Sequence, residues 1–394
     1  MSDKPRVAFF SDIFYEVNGA ALTSREFVAY ATRNGFPVLT LHPHAETRIF
    51  DDGSVRYVEL QRSLATVPME TDFGFDTLMW RYKGLIEKEL TNFRPDIVHV
   101  VSPGDLGLLS IVIARKMKLP IILGYHTNLH EFARHRLEKA LSFLPQSLVE
   151  SAGKVAEDKS LSLLLQLYKV ACASLAPNRE YTELLEKASG KKSFQMTRGV
   201  DTVGFSPEKR TRNDGQFVIG FVGRLQPEKN VRTLAEMEKI LLAAGETNFR
   251  FLIVGSGPEQ AWLAENMRHV ELPGVLRGEA LAEAYANMDV FAFTSTTDTF
   301  GNVVQEAFAS GVPAIVTPHG GPKFIVRENE TGFVAADAAE FAAQAQMLMH
   351  DPGRLDTMKR AARAQALEAT WDRVFESVYR AYDYCLDRNC PKRD

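Results

Sequence analysis

Two carboxylates and two cations stand where strand-to-helix turns are expected in the second half of the chain. Asp298 and Glu306 lie eight residues apart in "TSTTDTFGNVVQEAFASG", between an apolar run and a helical pattern. Arg224 and Lys229 flank the loop that follows "FVIGFVG". A guanidinium can bind a diphosphate through paired hydrogen bonds, an ammonium can bind it as a point charge, and a carboxylate accepts hydrogen bonds from hydroxyls. These residues therefore suit a ligand that carries both a diphosphate and a sugar.

The turn between the two carboxylates adds backbone donors. A helix that starts near Gly301 leaves its first amides without intrahelical partners at the positive end of the helix dipole, which suits a phosphate. These amides belong to Gly301, Asn302 and Val303. Glu306 lies about one turn further along, where its carboxylate could bind paired ribose hydroxyls.

Each of these features also has a structural explanation. Asp298 could cap the following helix, and Glu306 could be a surface residue, although its neighbours are apolar. Arg224 and Lys229 could be two solvated cations on a loop, and their spacing fits both interpretations equally. The glycines of "LIVGSGPEQAWL" repeat the same design at the next strand without being specific for a ligand.

Polar residues also follow two strands expected in the first half of the chain. Asn18 and Gly19 precede a helical pattern in "FFSDIFYEVNGAALTSREF", so the backbone could approach a phosphate or a sugar closely. A plain turn is the alternative, and neither GxGxxG nor GxxxxGK[ST] occurs. His126 is the last residue of "PIILGYH". It could contact a ligand or be a structural residue. His130 and His135 extend this cluster, but no acidic residue completes a metal site.

The hydrophobic pattern supplies the elements that would position these turns. Apolar runs of four to seven residues, typical of strands buried on both faces, alternate with longer helical patterns. This alternation predicts an α/β fold of βαβ units with parallel sheets. The predicted strands are "RVAFF", "PVLTLH", "DIVHVV", "PIILGYH", "ACASLA" and "SFQMTRGV", followed by "FVIGFVG", "FRFLIVG", "VFAFTS" and "PAIVT".

The 394 residues exceed what one hydrophobic core usually serves, so two domains are expected. A polar connector, "FSPEKRTRNDGQ", interrupts the series of strands near residues 207–215. We therefore predict Rossmann-like domains over residues 1–207 and 208–370, with the amphipathic segment 371–394 packing back on the first. Because ligands bind beyond the carboxyl ends of parallel strands, domains that face a central cleft would hold the site between them.

The composition excludes several classes of function. The chain is 45% hydrophobic and 24% charged, as in an ordinary soluble globular protein, and its net charge of −4 offers no basic excess for nucleic acid. Cys172, Cys385 and Cys390 suggest neither a disulfide framework nor a zinc site. The sequence has no signal-peptide pattern and no apolar stretch that could span a bilayer, which predicts a cytoplasmic protein.

One segment is compatible with contact to a membrane surface. "EFARHRLEKALSFLPQSLVE" places basic residues such as Arg134, Arg136 and Lys139 beside Leu137 and Leu141. A basic helix with an apolar face can lie on an anionic bilayer. The alternative is a helix packed on its own domain, so peripheral contact with the inner face of the membrane stays open.

In their order along the chain, these motifs resemble those of the retaining, family 4 type glycosyltransferases with the GT-B architecture. The resemblance implies two Rossmann-like domains facing a central cleft, the first on the acceptor side and the second binding the nucleotide sugar. It also implies sugar transfer from a nucleotide diphosphate donor with retention of configuration, without a metal or other cofactor. The matching stretches, between about residues 6 and 380, are "VNG", "YHT", "RGVDTVGFSP", "GFVGRLQPEKN", "IVGSGP", "STTDTFGNVVQEAFASGVPAIVT", "GGPKFIV" and "TGFV".

The resemblance further implies roles for individual residues. Arg224 and Lys229 match the diphosphate-binding pair, and His126 matches the histidine beside the transferred sugar; these three are the predicted catalytic residues. Glu306 matches the second glutamate of the family's E-x7-E motif, which holds the ribose, and Gly19 lies in the glycine loop of the first domain. The other predicted donor contacts are Asn18, Arg198, Asp298, Phe300, Gly301, Asn302 and Val303.

Two departures from the family pattern point to a subgroup. Asp298 replaces the first glutamate of the E-x7-E motif, and the glycine loop reads "NGAA" where many relatives carry consecutive glycines. Together with "TDTFGN" and "RGVDT", these features are closest to lipid-directed mannosyltransferases and sulfoquinovosyl-type transferases. The predicted reaction is therefore hexose transfer from GDP-mannose or a UDP-sugar to a hydroxyl of a lipid or saccharide acceptor.

Two alternatives stay open from the sequence. A sugar-nucleotide epimerase of the same fold would bind a similar donor and need no acceptor. A non-catalytic nucleotide-sugar binding protein would keep the fold without the reaction. The combination of Arg224, Lys229, His126 and Glu306 argues against the second alternative, because a scaffold does not need all four.

Overall fold

The computed structural model describes residues 4–16, 18–68, 74–126 and 159–389. The chain divides into two compact units, the first containing the residues up to Thr197 together with those from Trp371 onward. The second unit is Arg198–Thr370. The segment 131–150, for which the sequence leaves membrane contact open, lies outside the described residues, and so do His130 and His135.

The first unit carries, in the described part of the chain, an eight-stranded sheet in the order β10-β9-β8-β7-β1-β2-β4-β3. Neighbouring strands run parallel except at the edge, where β3 pairs antiparallel with β4. The strands of this unit, of which β5 and β6 form a separate hairpin, are β1 (Val7–Phe10), β2 (Val38–His44), β3 (Arg48–Asp52), β4 (Val55–Gln61), β5 (Thr66–Pro68), β6 (Gly74–Asp76), β7 (Ile97–Val100), β8 (Ile121–Gly124), β9 (Ala173–Ala176) and β10 (Ser193–Gln195).

Helices connect these strands. The first helix begins where the Asn18 side chain accepts a hydrogen bond from the Ala21 amide at 2.8 Å, and it ends at Gly35, whose φ of +65° is left-handed. Both ends are thus fixed by local chemistry, which positions the turn that precedes the helix. The helices of this part of the first unit include α1 (Gly19–Asn34), α2 (Lys83–Phe93), α3 (Asp105–Lys116) and α4 (Arg179–Ser189).

The second unit is built on a six-stranded parallel sheet in the order β13-β12-β11-β14-β15-β16. The strand order reverses between β11 and β14, and in such sheets the crevice at the carboxyl ends of these two strands is the usual ligand position. The strands are β11 (Phe217–Val222), β12 (Phe249–Val254), β13 (Val270–Gly274), β14 (Val290–Phe293), β15 (Ala314–Val316) and β16 (Gly332–Val334). The helices are α5 (Arg232–Ala243), α6 (Gln260–Asn266), α7 (Gly278–Ala286), α8 (Asn302–Ala309), α9 (Ala338–His350) and α10 (Pro352–Glu368).

After α10 the chain returns to the first unit. Helix α11 (Trp371–Tyr384), which continues as a π-helical turn over Cys385–Asn389, packs on α1. The rings of Phe27 and Phe375 meet edge to face with 5.5 Å between their centres. Nδ1 of His99 on β7 lies 2.6 Å from the hydroxyl oxygen of Tyr382, and both side chains are buried. The helix therefore completes the core of the first unit.

The division between the units falls after Thr197, whereas the sequence places it after residue 207. Val200 is buried in the core of the second unit, and its amide donates to the carbonyl of Ala369 at 3.0 Å. The Arg363 guanidinium donates to the carbonyls of Thr202 and Phe205, each at 3.0 Å. The backbone of residues 200–205, just before and at the start of the polar connector, is thus tied into the second unit.

All ten strands predicted from apolar runs occur, and the predicted α/β fold with two Rossmann-like halves is confirmed. The sequence missed β3 because all five of its residues are exposed, so no apolar pattern marks it. It also missed β4, β5, β6 and β16. The last missed strand is β13, an edge strand that contains Pro273. Edge strands tolerate proline because one side needs no ladder hydrogen bond.

Cys385 is a buried free thiol. Among the described residues, no helix combines the length and the apolar character that crossing a bilayer would require.

Candidate active site

An ion pair joins two loops at the carboxyl edge of the second sheet. Lys229 ends a 3-10 turn (Pro227–Lys229) after β11, and Asp298 lies in the loop after β14. Nζ of Lys229 donates to Oδ2 of Asp298 at 2.7 Å, with side-chain exposures of 12% and 26%. The Thr294 hydroxyl donates to the Lys229 carbonyl at 2.8 Å. The structure thus brings together two predicted site residues that are 69 positions apart in the chain.

Two glycines, Gly320 and Gly321, pack against the backbone of the loop that carries Asp298. The Gly321 amide donates to the Asp298 carbonyl at 2.7 Å. A Cβ on Gly321 would lie 2.1 Å from the Thr299 carbonyl oxygen, and one on Gly320 would lie 2.5 Å from that of Asp298. The "GGP" sequence after β15 is therefore required for backbone packing against the loop.

The start of α8 carries no side-chain cap. Its N-cap residue is Gly301, which has a left-handed φ of +104°, and the Val304 amide donates to the Gly301 carbonyl at 3.0 Å. Asp298 is therefore not the helix cap, which removes one structural explanation for it. The first-turn amides of Asn302 and Val303 are available at the position that the sequence predicts for a phosphate.

Glu306 is held by a tyrosine that the sequence did not single out. The hydroxyl of Tyr285 on α7 donates to Oε2 of Glu306 at 2.8 Å. Burial raises the pKa of Glu306, and the hydrogen bond from Tyr285 opposes that shift. Burial, with the nearby Glu306 charge, also raises the pKa of Tyr285 well above its usual range. Glu306 is partly buried and fixed in orientation, and not a solvated surface carboxylate.

Arg224 occupies a more open position than Lys229. Its side chain is 55% exposed, and its guanidinium lies 3.8 Å from the carboxylate of Glu228, four residues further along the loop. A contact that long between exposed groups contributes little stability. The structure therefore leaves the Arg224 side chain able to move toward a ligand, and its diphosphate role stays a prediction.

Arg198 and Phe300 lie together inside the second unit. The guanidinium carbon of Arg198 is 6.0 Å from the centre of the Phe300 ring, and both side chains are buried. Burial lowers the pKa of Arg198 to about 10. Because the Phe300 ring is buried, any donor contact from this residue would come from its backbone.

The predicted residues of the first unit are Asn18, Gly19 and His126. Asn18 uses both ends of its amide locally: Oδ1 accepts from Ala21, and Nδ2 donates to Glu16 at 2.9 Å. Gly19 is the first residue of α1. His126 is buried just after β8, and a Cβ on Gly124 would lie 2.6 Å from its Nε2, so Gly124 leaves room for the ring.

The glycines after β12 serve loop packing. A Cβ on Gly255 would lie 1.9 Å from the Gly223 carbonyl oxygen, and one on Gly257 would lie 2.3 Å from that of Leu225. The Leu225 amide also donates to the Ser256 carbonyl at 2.9 Å. The "GSGP" motif therefore holds the Arg224 loop in place, and this structural need accounts for it without a ligand.

Sequence reasoning missed a carboxylate pair in the first unit. Asp12 follows β1 and accepts hydrogen bonds from the Leu106 and Gly104 amides at 2.8 and 3.1 Å. Burial and the neighbouring Asp105 raise the pKa of Asp12 well above its usual range. Arg62 donates to Oδ2 of Asp105 at 3.0 Å. The position of Asp12, two residues after the end of a buried strand, was the available signal.

Two family profiles match the chain. The profile described as "Glycosyltransferase Family 4" matches residues 17–202, and the one described as "Glycosyl transferases group 1" matches residues 216–351. The two matches fall almost entirely on the first and second units respectively.

Named relatives align over most of the chain. A "GDP-mannose-dependent alpha-mannosyltransferase" of Mycolicibacterium smegmatis is 31% identical over 97% of this chain and 98% of its own length. A "Sulfoquinovosyl transferase" of Arabidopsis thaliana is 27% identical over 73% of this chain and 56% of its own length. An "Alpha-monoglucosyldiacylglycerol synthase" of Streptococcus pneumoniae is 26% identical over 80% and 71%. The predicted subgroup is thus represented among the relatives.

A solved structure supports the same architecture. A sucrose-phosphate synthase from Thermosynechococcus elongatus superposes with a TM-score of 0.72, covering 96% of this chain and 98% of its own, at 17% identity. At this identity the similarity establishes the GT-B fold alone. Combined with the 31% identity of the mycobacterial relative, it shows that the chain is a glycosyltransferase and belongs to family 4 of the GT-B glycosyltransferases.

Proposed function

We propose that this glycosyltransferase moves a hexose, with mannose from GDP-mannose as the first candidate, to a hydroxyl of a lipid or saccharide acceptor. The transfer retains the anomeric configuration and needs no metal ion. The observation that carries the proposal is the Lys229–Asp298 ion pair at the carboxyl edge of the second sheet, followed on α8 by Glu306. The name of the mycobacterial relative supports GDP-mannose as the donor.

The leaving diphosphate is stabilised by Lys229, Arg224 and the first amides of α8. The ammonium of Lys229 has three protons, so it can keep its bond to Asp298 while donating to a phosphate oxygen. Positive groups fixed before the reaction stabilise the charge that develops on the leaving group. These groups supply the role that a metal ion plays in other phosphate chemistry, which supports metal independence.

Glu306 accepts hydrogen bonds from the ribose hydroxyls, and Asp298 from the transferred sugar. In the part of the chain that the structure describes, Tyr285 donates to Oε2 of Glu306, and the other oxygen can accept from a ribose hydroxyl. Asp298 likewise bonds to Lys229 through Oδ2. Each carboxylate therefore combines a fixed anchor with a spare acceptor.

Retention proceeds by attack on the face that the diphosphate leaves. GDP-mannose carries an α-linked sugar, and an enzyme named an alpha-mannosyltransferase makes an α-linked product, which supports retention here. A double displacement would require a carboxylate nucleophile. Asp298 and Glu306 are both anchored by donors, so we assign neither this role, and the departing phosphate takes the acceptor's proton.

The donor is tested by measuring transfer from GDP-mannose, UDP-glucose and UDP-galactose to octyl glycosides, with and without EDTA. We expect GDP-mannose to be preferred, EDTA to have no effect, and the new linkage to be α by its anomeric proton signal. Preference for a UDP-sugar would overturn the donor assignment. A β-linked product would overturn retention, and loss of activity restored by added metal would overturn metal independence.

The acceptor class rests on a different relative, because the name of the pneumococcal relative specifies a diacylglycerol product. A lipid acceptor would require the enzyme to reach a membrane surface. Sedimentation with anionic and neutral phospholipid vesicles measures this directly. Binding to anionic vesicles that fades with added salt would support a lipid acceptor, and no sedimentation at low salt would favour a free saccharide.

A further inference from the structure

A pocket in the first unit has no part in the donor chemistry described above. It has a volume of about 400 Å³ and lies at the carboxyl ends of β1, β2 and β4. Its walls include Asp12, Tyr15 and Glu16 after β1, His44 at the end of β2, and Arg62 directly after β4. This volume is within the range of small-molecule sites, and the carboxyl edge of a parallel sheet is where such sites occur.

A buried carboxylate fixes the walls of this pocket. Glu59 on β4 is fully buried, and it accepts from the Tyr15 hydroxyl at 2.8 Å and from Nε of Arg48 at 2.7 Å. His44 Nδ1 lies 3.4 Å from the same carboxylate. Burial alone would raise the pKa of Glu59, but the hydrogen bonds from Tyr15 and Arg48 hold it below its usual value. Burying a carboxylate is costly, and here it orients groups that face the pocket.

Tyr15 is an exposed residue of the wall. It is 51% exposed, yet its hydroxyl is anchored on Glu59. Next to it, the Phe14 ring stacks on the buried His42 ring, with 4.1 Å between the centres. An exposed aromatic ring that cannot rotate away provides a flat apolar platform, and little entropy is lost when a ligand covers it.

The charges at the pocket disfavour an anionic ligand. Arg62 faces Asp105 at 3.0 Å, and Arg48 faces Glu59 at 2.5 Å, so both positive charges are offset. The Arg25 guanidinium donates to the backbone carbonyls of Phe14 and Glu16. A neutral ring with several hydroxyls suits such a site better, because its hydroxyls can pair with the carboxylate and imidazole groups.

We infer that this pocket, called the Tyr15 pocket below, binds a neutral polyol ring of the acceptor, with Tyr15 as the platform. This inference rests on the proposed transfer of a sugar to an acceptor. It identifies the Tyr15 pocket as the surface of the first unit that selects the acceptor. Tyr15 and His44 contact the ring, and Glu59 is a positioning residue that acts through them. The ring belongs either to a free saccharide or to the head group of a lipid.

Saturation-transfer NMR with three probes tests the Tyr15 pocket: methyl α-D-glucopyranoside, octyl α-D-glucopyranoside and myo-inositol 1-phosphate. We expect saturation of the ring protons of both glucosides and none of the anionic probe. Saturation of the methyl glucoside would identify a site for a free saccharide, and a large preference for the octyl glucoside would identify one for a lipid head group. Binding of the anionic probe alone would overturn the inference.

Matched variants locate the binding. Tyr15→Ala should weaken glucoside binding by roughly tenfold, while Trp80→Ala, which removes an equally exposed aromatic ring (50%) of the same unit outside the pocket, should not. Tyr15→Phe keeps the platform but loses the anchor on Glu59, so an intermediate loss is expected. Unchanged glucoside binding in Tyr15→Ala would overturn the inference.

GDP titration calorimetry separates this inference from the proposed function. Tyr15→Ala should bind GDP as tightly as the wild type, because no donor group is altered. If the wild type binds GDP but none of the glucosides, the Tyr15 pocket is wrong and the donor site stands. If the wild type does not bind GDP, the proposed function fails first.

Discussion

The Lys229 ammonium lies 2.7 Å from Oδ2 of Asp298. The residue predicted to bind the diphosphate and the residue predicted to bind the sugar therefore form an ion pair before any donor binds. Both side chains are largely shielded from water, which strengthens their attraction relative to an exposed pair. The pair fixes the long lysine side chain in one place. Donor binding then needs little reordering of Lys229, which is the preorganisation that favours leaving-group stabilisation.

Lys229→Ala should reduce turnover with the donor by roughly 10²- to 10³-fold, by comparison with the loss of one preorganised donor in other enzymes. The reason is that the leaving diphosphate loses its fixed positive charge. Steady-state kinetics with saturating acceptor measures this effect. Lys239→Ala, an exposed lysine on α5, is the control and should keep wild-type turnover. Normal turnover in Lys229→Ala would rule out the diphosphate role.

Asp298→Glu should change the ratio of kcat/KM between GDP-mannose and UDP-glucose. One added methylene shifts the carboxylate relative to the sugar hydroxyls while the partner Lys229 stays in reach. Differences of one methylene in a binding site change discrimination by roughly 10- to 200-fold. Competition between the two donors in one reaction gives the ratio directly. An unchanged ratio would show that the shorter side chain is not the selector.

Glu306→Gln should weaken GDP binding, and the wild-type affinity should itself depend on pH. Burial raises the pKa of Glu306, so as the pH falls this carboxyl takes up its proton earlier than an ordinary glutamate does. The protonated group accepts ribose hydrogen bonds poorly, and affinity therefore falls with falling pH. Calorimetry at several pH values should show this fall in the wild type and a flat profile in Glu306→Gln. Equal affinity in both proteins would leave Glu306 with a structural role.

Gly321→Ala should lower both the melting temperature and the affinity for GDP-mannose. A Cβ at this position would lie 2.1 Å from the Thr299 carbonyl oxygen, so the loop that carries Asp298 must move. Gly84→Ala on α2 is the matched control, because its Cβ would enter open space. In a helix that change should be neutral or stabilising by up to about 1 kcal/mol. A Gly321→Ala protein with unchanged melting temperature and donor affinity would contradict this packing argument.

His42→Phe should flatten the dependence of stability on pH. Burial lowers the pKa of His42 to about 4, so the ring stays neutral in the folded protein while the unfolded chain takes up a proton below about pH 6.5. The free energy of unfolding therefore falls by about 1.4 kcal/mol per pH unit between these two values. Urea unfolding measures how much the free energy of unfolding falls from pH 7 to pH 5. This fall should be smaller by about 2 kcal/mol in His42→Phe than in the wild type. The exposed His319→Asn variant should behave as the wild type does, and an equal loss in His42→Phe would contradict the prediction.

The sequence predicts the fold well where burial is complete. Every residue of β1, β7, β8, β9 and β14 is buried, and apart from His99 and Ser174 these strands contain only apolar residues and glycine, so their pattern is unambiguous. β4 is harder, because "VRYVELQ" mixes buried valines with Arg56 and the buried Glu59. The partner that neutralises Glu59 is set by tertiary structure, and no local rule of propensity contains it.

The candidate site shows the same limit. Motif spacing places Lys229 and Asp298 in loops after strands and Glu306 in the helix that follows, and the structure has them in these elements. It does not predict that Lys229 pairs with Asp298, or that Tyr285 holds Glu306, because these contacts join separate βα units. It also does not predict that the Asn18 side chain caps α1, and the ligand role of Asn18 stays a prediction. Caps and ion pairs depend on geometry that residue types alone leave open.

The return of the chain at Trp371 has a consequence for biosynthesis. The first unit lacks Phe375, Tyr379 and Tyr382 from its core until the ribosome has made the whole second unit. Domains generally fold in the order of their synthesis, but here the unit that starts first has to finish last. A nascent chain halted before residue 371 should therefore contain a completed second unit and a first unit with an exposed aromatic face on α1. During that interval the exposed aromatic face of α1 would be a binding site for a chaperone.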